Sequence, residues 1–342
     1  MKYLRWLLFP FAVLYGLVTV IRNWLYSIGL FKSRRFNIPL ISVGNLDAGG
    51  SGKTPMTEYI IRLLKPHYKI ATLSRGYGRK TRGFLMATPQ SDAKTVGDEP
   101  AQLKHKFPDI DVAVCEDRVT GINKLVEGHD VIIMDDAYQH RAVKPGLSIL
   151  LFDYHQLQDV NLLLPAGNRR ELFNGRKRAE IMVVTKCPAD MGSDTSAQLK
   201  KMLAPYPHQK VFFSTVAYQP ICRVTDNTND TLMDDDTTVF LLTGIARPQP
   251  LVNYIRQYTS RIIHHKYPDH HLFSLKNITK LAQEFSACQD QKKIIVTTEK
   301  DVQRLEEQEL QRLVIALPVY TLPINVIFLN NGHAQFNKLL EN

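Results

Sequence analysis

Closely spaced cysteines are missing from this sequence. Its four cysteines lie 72, 35 and 66 positions apart along 342 residues, so no C-x-x-C pair occurs. Zinc ribbons and disulfide scaffolds are therefore excluded, and a reducing compartment is favoured. A hydrophobic content of 44% with 22% charged residues is typical of a globular protein, which excludes disordered and collagen-like classes.

Acidic residues are missing from the first 46 positions, and Asp47 is the first acid. The whole chain carries a net charge of +10 and has a pI near 9.3. Such an excess of positive charge indicates acidic partners, namely nucleic acids, phosphorylated ligands or anionic membranes. Because no nucleic-acid-binding motif occurs, we expect no nucleic-acid partner.

An uncharged run of sixteen residues, Trp6–Ile21, lies between Arg5 and Arg22. At about 1.5 Å per residue it reaches about 24 Å, short of the roughly 30 Å that a spanning helix must cross. A cleaved signal would need small residues after the run, where the chain has Arg22-Asn23-Trp24 instead. A helix packed on its own protein is a further alternative. We favour a helix inserted into one leaflet, because cations and aromatic residues flank the run.

A glycine-rich loop lies between a strand pattern and a helix pattern. An apolar run at residues 38–43 precedes it, and apolar residues with helical spacing follow it at positions 56, 59, 60, 63 and 64. This is the context of a phosphate-binding P-loop, whose backbone N–H groups converge on a phosphate. We expect Lys53 to reach the β- and γ-phosphates of ATP and Thr54 to bind Mg²⁺. The nucleotide-binding residues predicted are Gly49, Gly50, Ser51, Gly52, Lys53 and Thr54.

The P-loop departs from the common pattern at one position and from a known variant of it at another. Asp47 stands where the first glycine of G-x-x-x-x-G-K-T is expected. Ala48 stands where partition-type ATPases have a signature lysine, and this difference argues against that class.

A buried strand pattern at Val131–Met134 ends in Asp135 and Asp136, which is typical of a Walker-B strand. We assign Asp135 to the Mg²⁺ shell and Asp136 to catalysis by organising the site. Further strand patterns alternate with helical ones, so we expect an α/β fold with mostly parallel sheets. These strands are predicted at residues 70–73, 112–115, 147–152 and 181–184.

Several motifs occur in a fixed order along the chain: residues 74–79 (Ser-Arg-Gly-Tyr-Gly-Arg), 97–100 (Gly-Asp-Glu-Pro), 135–140 (Asp-Asp-Ala-Tyr-Gln-His), 163–171 (Leu-Leu-Pro-Ala-Gly-Asn-Arg-Arg-Glu), 268–271 (Pro-Asp-His-His) and 298–301 (Thr-Glu-Lys-Asp). Together with the P-loop and the apolar N-terminal run, this order resembles the tetraacyldisaccharide 4′-kinase family of Gram-negative bacteria. The resemblance covers residues 1 to about 305. It departs at Ala137-Tyr138, where the family has Gly-(Phe/Leu), and at Asn168, near which it usually has proline.

The resemblance implies an enzyme that uses ATP and Mg²⁺ to phosphorylate the 4′-hydroxyl of an acylated glucosamine disaccharide 1-phosphate, a lipid A precursor. It also implies two α/β/α lobes, the first of them P-loop NTPase-like. We expect a monomer that binds anionic lipids at the cytoplasmic face of the bacterial inner membrane, as a monotopic or peripheral protein.

Asp98 is the predicted general base, since a kinase must position a hydroxyl and accept its proton. The alternative is an N-cap for a helix starting at Glu99-Pro100. The resemblance implies that His270 partners Asp98, while a surface histidine or a metal site remain alternatives. Lys53 and Asp136 complete the predicted catalytic set. The candidates for substrate binding are Arg75, Arg79, Gln139, His140, Arg169 and Arg170.

We expect four segments: an N-terminal membrane-associated helix at 1–30, a P-loop kinase lobe at 31–220, a smaller α/β lobe at 221–330 and a C-terminal helix or tail at 331–342. An acid-rich stretch at 226–236 indicates the boundary between the lobes. A strand at 324–329 is predicted to pair with one at 211–218, forming a short hinge. Lobe closure would then bring Asp98 and His270 together.

Two other functions use the same features. A membrane-attached P-loop ATPase switch would turn over ATP without an acceptor. A soluble kinase for a small metabolite would bury the N-terminal helix as core.

Overall fold

The computed structural model describes residues 7–159, 161–226, 228, 233–305 and 308–341. Arg5 and Trp6, at the start of the uncharged run, lie outside the described residues, as do residues 227 and 229–232 of the acid-rich stretch 226–236. The described strands are β1 Leu40–Asn45, β2 Ile70–Ser74, β3 Leu85–Met86, β4 Asp111–Val114, β5 Val131–Asp135, β6 Leu147–Asp153, β7 Ile181–Thr185, β8 Lys210–Tyr218, β9 Cys222–Arg223, β10 Thr238–Thr243, β11 Ile262–Lys266, β12 Lys293–Thr297, β13 Val319–Thr321 and β14 Ile324–Phe328.

Helices cover both sheets that these strands form. The described helices are α1 Phe9–Ser27, α2 Lys53–Leu64, α3 Asp98–Lys106, α4 Arg118–Leu125, α5 Tyr154–Gln158, α6 Ser193–Leu203, α7 Gln249–Ile255, α8 Leu275–Ala287, α9 Glu299–Val302, α10 Gln308–Ile315 and α11 Gly332–Glu341. A 3₁₀ helix spans Phe173–Arg178.

The first sheet has the strand order β14-β8-β7-β6-β1-β5-β2-β4-β3. Its central strands are parallel, and only the edge pairs β8–β14 and β3–β4 are antiparallel. Every residue of β1, β5 and β7 is buried, as expected for central parallel strands covered on both faces. We call the part of the chain that carries this sheet the first lobe.

The second sheet has the order β11-β10-β12-β13-β9, and only β9 is antiparallel to its neighbour. Helices α8 and α10 pack on it through the buried side chains of Leu281, Phe285 and Val314. We call this part the second lobe. The mostly parallel α/β architecture predicted from the sequence is confirmed.

Strand β14 pairs with β8, as the sequence predicted. The pair is not a separate ribbon, however. The first half of β8 pairs with β7, and its second half, from Ser214 to Tyr218, pairs with β14. Sheet membership therefore changes between Tyr218 and Cys222, and again between Thr321 and Ile324.

Helix α1 contacts the first lobe through a narrow stripe of small residues. Ala12, Gly16 and Thr19 are buried and lie three or four positions apart, on one face of the helix. Most of its large apolar side chains are exposed, among them Phe11, Val13, Leu14, Leu17, Val18, Val20, Ile21 and Trp24. The helix is not part of a buried core.

Helix α1 is longer than the apolar run that predicted it, because it continues through Arg22 and Asn23 to Ser27. Its 19 residues make it long and apolar enough to cross a membrane by length and composition, which the sixteen-residue run was not expected to be. Length and composition alone do not distinguish a spanning helix from an inserted one.

The C-terminal helix α11 returns to the first lobe. Phe336 is fully buried against the rings of Phe212, Phe328 and Tyr59, and the Tyr59 hydroxyl donates to Asn337 at 2.8 Å. This helix covers α2 and the β8–β14 pair, so the last residues of the chain close the core behind the P-loop helix.

We predict that Phe336→Ala lowers the free energy of unfolding by about 3–5 kcal/mol, because it leaves a cavity in a fully buried aromatic cluster. Urea denaturation measures the change. The control is Ile327→Ala on β14, whose side chain is 49% exposed and should cost less than about 1 kcal/mol. Equal losses for the two variants would contradict the packing of α11.

Candidate active site

The P-loop connects β1 to α2, and its glycines take conformations that other residues avoid. Gly49 has φ of 113° and Gly52 has φ of 84°, so both lie in the left-handed region. The loop is supported from β7: the Thr185 hydroxyl donates to the Ser51 carbonyl at 2.8 Å, and Lys186 donates to the Gly50 carbonyl. The buried Ser51 hydroxyl has no partner among the described residues, as expected if a ligand supplies one.

Asp47, the residue that replaces the usual glycine, has a structural role. Its carboxylate is buried and accepts from Arg169 Nε at 3.3 Å. Burial raises the pKa of Asp47, and Arg169 opposes this shift only in part. The side chain that departs from the motif therefore anchors a neighbouring loop, residues 162–171, against the P-loop.

The Walker-B strand delivers Asp135 and Asp136 to the same edge of the sheet. Asp136 has φ of 47°, and its carboxylate accepts from Arg170 at 3.0 Å and lies 3.7 Å from the Lys53 ammonium. Burial alone would raise the pKa of Asp136, but Lys53 and Arg170 outweigh it and hold the pKa below its ordinary value. Lys53 is thus placed at the Walker-B carboxylate, as a P-loop lysine should be.

Asp135 is fully buried and only partly satisfied. Its Oδ1 accepts from Asp136 N at 3.0 Å and from the Thr57 hydroxyl at 3.3 Å, while Oδ2 has no partner in the described part of the chain. Burial, followed by the charges of Glu99 and Asp136, raises the pKa of Asp135 to about 7. A buried carboxylate oxygen without a donor fits a Mg²⁺ ligand. Thr54, the other predicted ligand, is buried at the start of α2.

Asp98 and His270 come together across the two lobes. His270 Nδ1 lies 3.1 Å from Asp98 Oδ2, although the residues are 172 positions apart. Asp98 is the first residue of α3, and Gly97 rather than Asp98 holds the N-cap position. The cap alternative is therefore wrong. No metal-binding cluster of His, Cys, Asp or Glu occurs within the described ranges, and His271 bonds to Asn277 instead.

A buried arginine that the sequence reading missed also holds Asp98. Arg304 follows α9 in the second lobe and is 1% exposed. Its Nε donates to Asp98 Oδ2 at 2.9 Å, and NH2 donates to the same oxygen. Its NH1 donates to Asp301 at 3.1 Å and to the Gly244 carbonyl at 3.3 Å, which fixes the guanidinium within its own lobe.

Lys300 fixes the tautomer of His270. The ammonium is a donor without acceptor capacity and lies 3.2 Å from His270 Nε2, so this nitrogen accepts. Nδ1 then carries the proton and donates to Asp98. Lys300 also pairs with Glu99 at 3.3 Å, which makes a second link between the lobes beside the first.

The Asp98 carboxylate is strongly stabilised in its charged form. Burial would raise its pKa, but the hydrogen bonds from His270 and Arg304, with the charge of Arg304, lower the pKa of Asp98 to about 2. All these bonds reach Oδ2, so within the described residues Oδ1 has no partner. The free oxygen can accept a hydrogen bond from an incoming hydroxyl.

The predicted substrate-binding residues fall into different surroundings. Arg75 is exposed, and its charge, with that of Arg118, adds to burial in lowering the pKa of His140. Arg79 is committed to Glu116 at 2.6 Å and to the Gly83 carbonyl, so it holds its own loop. Gln139 donates to the Asn45 carbonyl at 2.6 Å, at the end of β1.

Arg169 and Arg170 lie in the loop 162–171 and face different carboxylates. Arg169 contacts Asp47, and Arg170 contacts Asp136. Both are therefore placed at the nucleotide site.

Comparison with known proteins agrees with this geometry. The family model for tetraacyldisaccharide-1-P 4′-kinase matches residues 4–342. The chain belongs to the tetraacyldisaccharide-1-P 4′-kinase family.

Individual members of the family cover nearly the whole chain. The tetraacyldisaccharide 4′-kinase of Phocaeicola vulgatus is 43% identical over 341 residues, which is 97% of this chain and 93% of the relative. That of Flavobacterium psychrophilum is 42% identical and covers 100% of this chain and 97% of its own length. The crystal structure of the "apo" form of LpxK from Aquifex aeolicus in complex with ATP has a TM-score of 0.73 at 27% identity, covering 99% and 98% of the two chains. The resemblance inferred from the motif order is confirmed.

For this 4′-kinase family member, the residues that sequence reasoning missed share one property. Arg304, Lys300 and Glu99 act through contacts between distant parts of the chain. The motif Thr-Glu-Lys-Asp at 298–301 contains Lys300, so it could have indicated that this lysine has a functional role. The residues next to Arg304 in the sequence do not distinguish it from a solvent-exposed arginine.

We predict that Arg304→Met lowers the free energy of unfolding at pH 7 by about 3–5 kcal/mol, because it leaves Asp98 as a buried charge without its main partner. The pKa of Asp98 is about 2, below its ordinary 3.8. Its contribution to stability is therefore complete above pH 3.8 and is lost as the pH falls towards 2.

The difference in free energy of unfolding between wild type and Arg304→Met should accordingly become smaller as the pH is lowered from 5 to 3. Urea denaturation at each pH measures it. The control is Arg312→Met on α10, an exposed arginine of the same lobe, which should change little at any pH. A gap that stays constant with pH would contradict the role given to Arg304.

Proposed function

We propose that this chain transfers the γ-phosphoryl group of ATP to the 4′-hydroxyl of a tetraacyldisaccharide 1-phosphate. Membership of the 4′-kinase family supports this reaction. The solved structure of a similar protein in complex with ATP supports ATP as the phosphoryl donor. The observation that carries the assignment of residues is the position of Asp98. Gln102 on the same helix donates to Glu58 on the P-loop helix at 2.9 Å, so the helix that begins with Asp98 is bonded to the helix that follows the P-loop. In agreement, the charge of the neighbouring Glu99 contributes to raising the pKa of Asp135.

In the reaction, Asp98 accepts a hydrogen bond from the 4′-hydroxyl on its free oxygen. The hydroxyl oxygen attacks the γ-phosphorus, the bond to the β,γ-bridging oxygen breaks, and ADP leaves with the bonding electrons. The proton of the hydroxyl passes to Asp98 as the new bond forms. His270 and Arg304 keep the carboxylate oriented, and they hold it in its charged form until it accepts this proton.

The nucleotide is held by Gly49, Gly50, Ser51, Gly52, Lys53 and Thr54. Lys53 contributes positive charge at the β- and γ-phosphates, and Asp136 positions the Lys53 ammonium. Asp135 and Thr54 would hold Mg²⁺, which neutralises charge on the phosphates when bound. Arg170, which already contacts Asp136, is placed to stabilise charge on the transferred group.

The phosphate of the substrate needs cations outside the nucleotide site. Arg75, Arg118 and His140 are close enough to influence one another electrostatically. Arg118 is buried, and burial lowers its pKa to about 10, so it remains charged at neutral pH. Arg118 is only 3% exposed and donates to the Cys115 carbonyl at 3.1 Å, so we assign the anionic part of the acceptor to Arg75, His140 and Gln139.

Helix α1 supplies the membrane contact in this proposal. Its broad exposed apolar surface is larger than a soluble helix normally presents, and Lys32, Arg34 and Arg35 follow it. An insertion into one leaflet at the cytoplasmic face of the inner membrane would place the active site where both ATP and an acylated substrate are available. We propose that the chain acts there as a monomer.

The lobe boundaries remain part of the proposal: a membrane-associated helix at 1–30, a P-loop lobe at 31–220, a smaller lobe at 221–330 with hinge strands at both ends, and a C-terminal helix or tail at 331–342. The last hinge strand, β14, lies within 221–330 but pairs with β8 in the sheet of the first lobe. Since Asp98 and its partners come from different lobes, separation of the lobes would remove the hydrogen bonds of His270 and Arg304 to Asp98. Substrate entry and product release by such a movement follow from this arrangement.

We predict that Asp98→Asn lowers transfer of label from γ-labelled ATP to the acyl-disaccharide 1-phosphate by about 100-fold or more, while MgATP still binds. Lys53→Ala should lose MgATP binding as well as transfer. The assay uses detergent micelles with Mg²⁺.

Asp109→Asn serves as the matched control, because Asp109 is an exposed aspartate that pairs with Lys65, just after the C-terminal end of α2. ATP turnover in wild type without labelled lipid would favour the ATPase switch. Transfer only to soluble small acceptors would favour a metabolite kinase.

We predict that replacing Leu14 and Leu17 with Gln weakens binding to anionic lipid vesicles by about tenfold per site, because each side chain loses its apolar burial in the bilayer. The two are 59% and 56% exposed on the protein, so folding should not depend on them. Vesicle cosedimentation measures binding, with the exposed Leu275→Gln in the second lobe as control. Unchanged cosedimentation of the α1 variant would rule out the membrane role of this face.

A further inference from the structure

The loop 162–171 is bonded along one side to the entrance of the P-loop. Arg170 N donates to the Leu46 carbonyl at 2.7 Å, and Ala48 N donates to the Asn168 carbonyl at 2.6 Å. The Arg169 guanidinium contacts Asp47 between these two bonds. The loop therefore runs beside residues 46–48 like a short additional strand, and its position and that of the P-loop entrance are linked.

The same loop carries a side chain into the catalytic centre. Arg170 NH1 donates to both carboxylate oxygens of Asp136 at 3.0 Å. Asp136 in turn lies against the Lys53 ammonium. A shift of the loop would change how the charge of Asp136 is divided between Arg170 and Lys53.

The other side of the loop is bonded to helix α1. The Tyr15 hydroxyl donates to the Arg170 carbonyl at 2.8 Å. Gly16 lies so close to Leu163 that a Cβ atom at this position would come within 2.7 Å of the leucine side chain. The absence of a side chain at Gly16 thus allows the helix and the loop to approach closely.

A buried ion pair gives a second polar link to α1. Glu171 is 1% exposed, and its Oε1 accepts from Arg178 at 2.5 Å. Its Oε2 accepts from Asn23 Nδ2, on α1, at 2.8 Å. A membrane anchor needs only an apolar surface. Helix α1, in contrast, also donates from Tyr15 to Arg170 and from Asn23 to Glu171, two successive residues of the loop 162–171.

We propose that α1 is a positioning element of the nucleotide site, and that Tyr15 and Asn23 are positioning residues that act through Arg170 and Glu171. The way α1 lies on the first lobe then sets the arrangement of Arg170, Asp136 and Lys53. A helix held in a bilayer would keep this arrangement, and a helix displaced from the lobe would lose it. The membrane part of this inference rests on the proposed function, but the link from α1 to the nucleotide does not.

The test measures nucleotide binding without any lipid, by isothermal titration of the full-length chain in detergent. We expect Asn23→Ala and Tyr15→Phe each to weaken MgATP binding by about tenfold, the size expected when one part-buried hydrogen bond that orders a charged site is lost. Binding of ADP without Mg²⁺ should weaken clearly less than binding of MgATP, because among the described residues the bonds from Tyr15 and Asn23 end on Arg170 and Glu171 and not on the P-loop backbone.

Ser27→Ala is the matched control. It removes a hydrogen bond of 2.8 Å from the same helix, but one that ends on the Asn23 carbonyl rather than on the loop. MgATP affinity should stay at the wild-type value in this variant.

Two results would overturn the inference. MgATP affinity could be unchanged in both Asn23→Ala and Tyr15→Phe, or both nucleotides could be weakened equally, which would indicate general loss of structure. Tyr15→Phe loses a single hydroxyl, so it keeps the test decisive if Asn23→Ala fails to fold. Because no acceptor lipid is present, the outcome is independent of whether the chain phosphorylates a disaccharide.

Discussion

The bonds from Arg304 and His270 to Asp98 are the constraint on which the rest of the site depends. The carboxylate belongs to the first lobe, and both of its partners belong to the second. Arg304 is itself held by Asp301 and the Gly244 carbonyl, so it brings a rigid, fully buried charge to the cleft. A base in one lobe whose partners lie in the other is complete only when the lobes are together, which ties its chemistry to lobe closure.

Charge balance explains the other polar contacts of the cleft. Three carboxylates of the site each have a cation from another segment: the half-buried Asp136 has Lys53 and Arg170, and the buried Asp47 and Glu171 have Arg169 and Arg178. Asp135 is the exception, with one oxygen that no described residue satisfies. Removing one member of such a buried pair leaves an uncompensated charge, so these contacts fix the relative positions of the P-loop, the Walker-B strand and the loop 162–171.

Local patterns were enough to predict the P-loop, the Walker-B strand and most of the parallel sheet. In these segments a few neighbouring residues determine the conformation, as glycine does at Gly49 and Gly52. The pairing of β14 with β8 was also predicted, from two strand patterns at the ends of the smaller lobe, although the strands have 5 and 9 residues. The role of Asp47 was not predictable, since a departure from a motif does not reveal what the new side chain contacts.

Arg304 and Asn23 show why the remainder of the site was missed. Their partners lie 206 and 148 residues away, and only the tertiary fold brings them together. The exposure of α1 could be inferred from its apolar character, but the buried stripe of Ala12, Gly16 and Thr19 could not. Small residues carry little hydrophobic signal, although they allow the close approach to the loop.

A double-mutant cycle on Asp98 and Arg304 tests the central claim most directly. The kcat for lipid phosphorylation would be measured for Asp98→Asn, Arg304→Met and the double variant. If the two residues act as one unit, the double variant should be no slower than Asp98→Asn alone, because Arg304 has no carboxylate left to hold. Losses that simply multiply would show that Arg304 acts independently of Asp98 and would contradict this account.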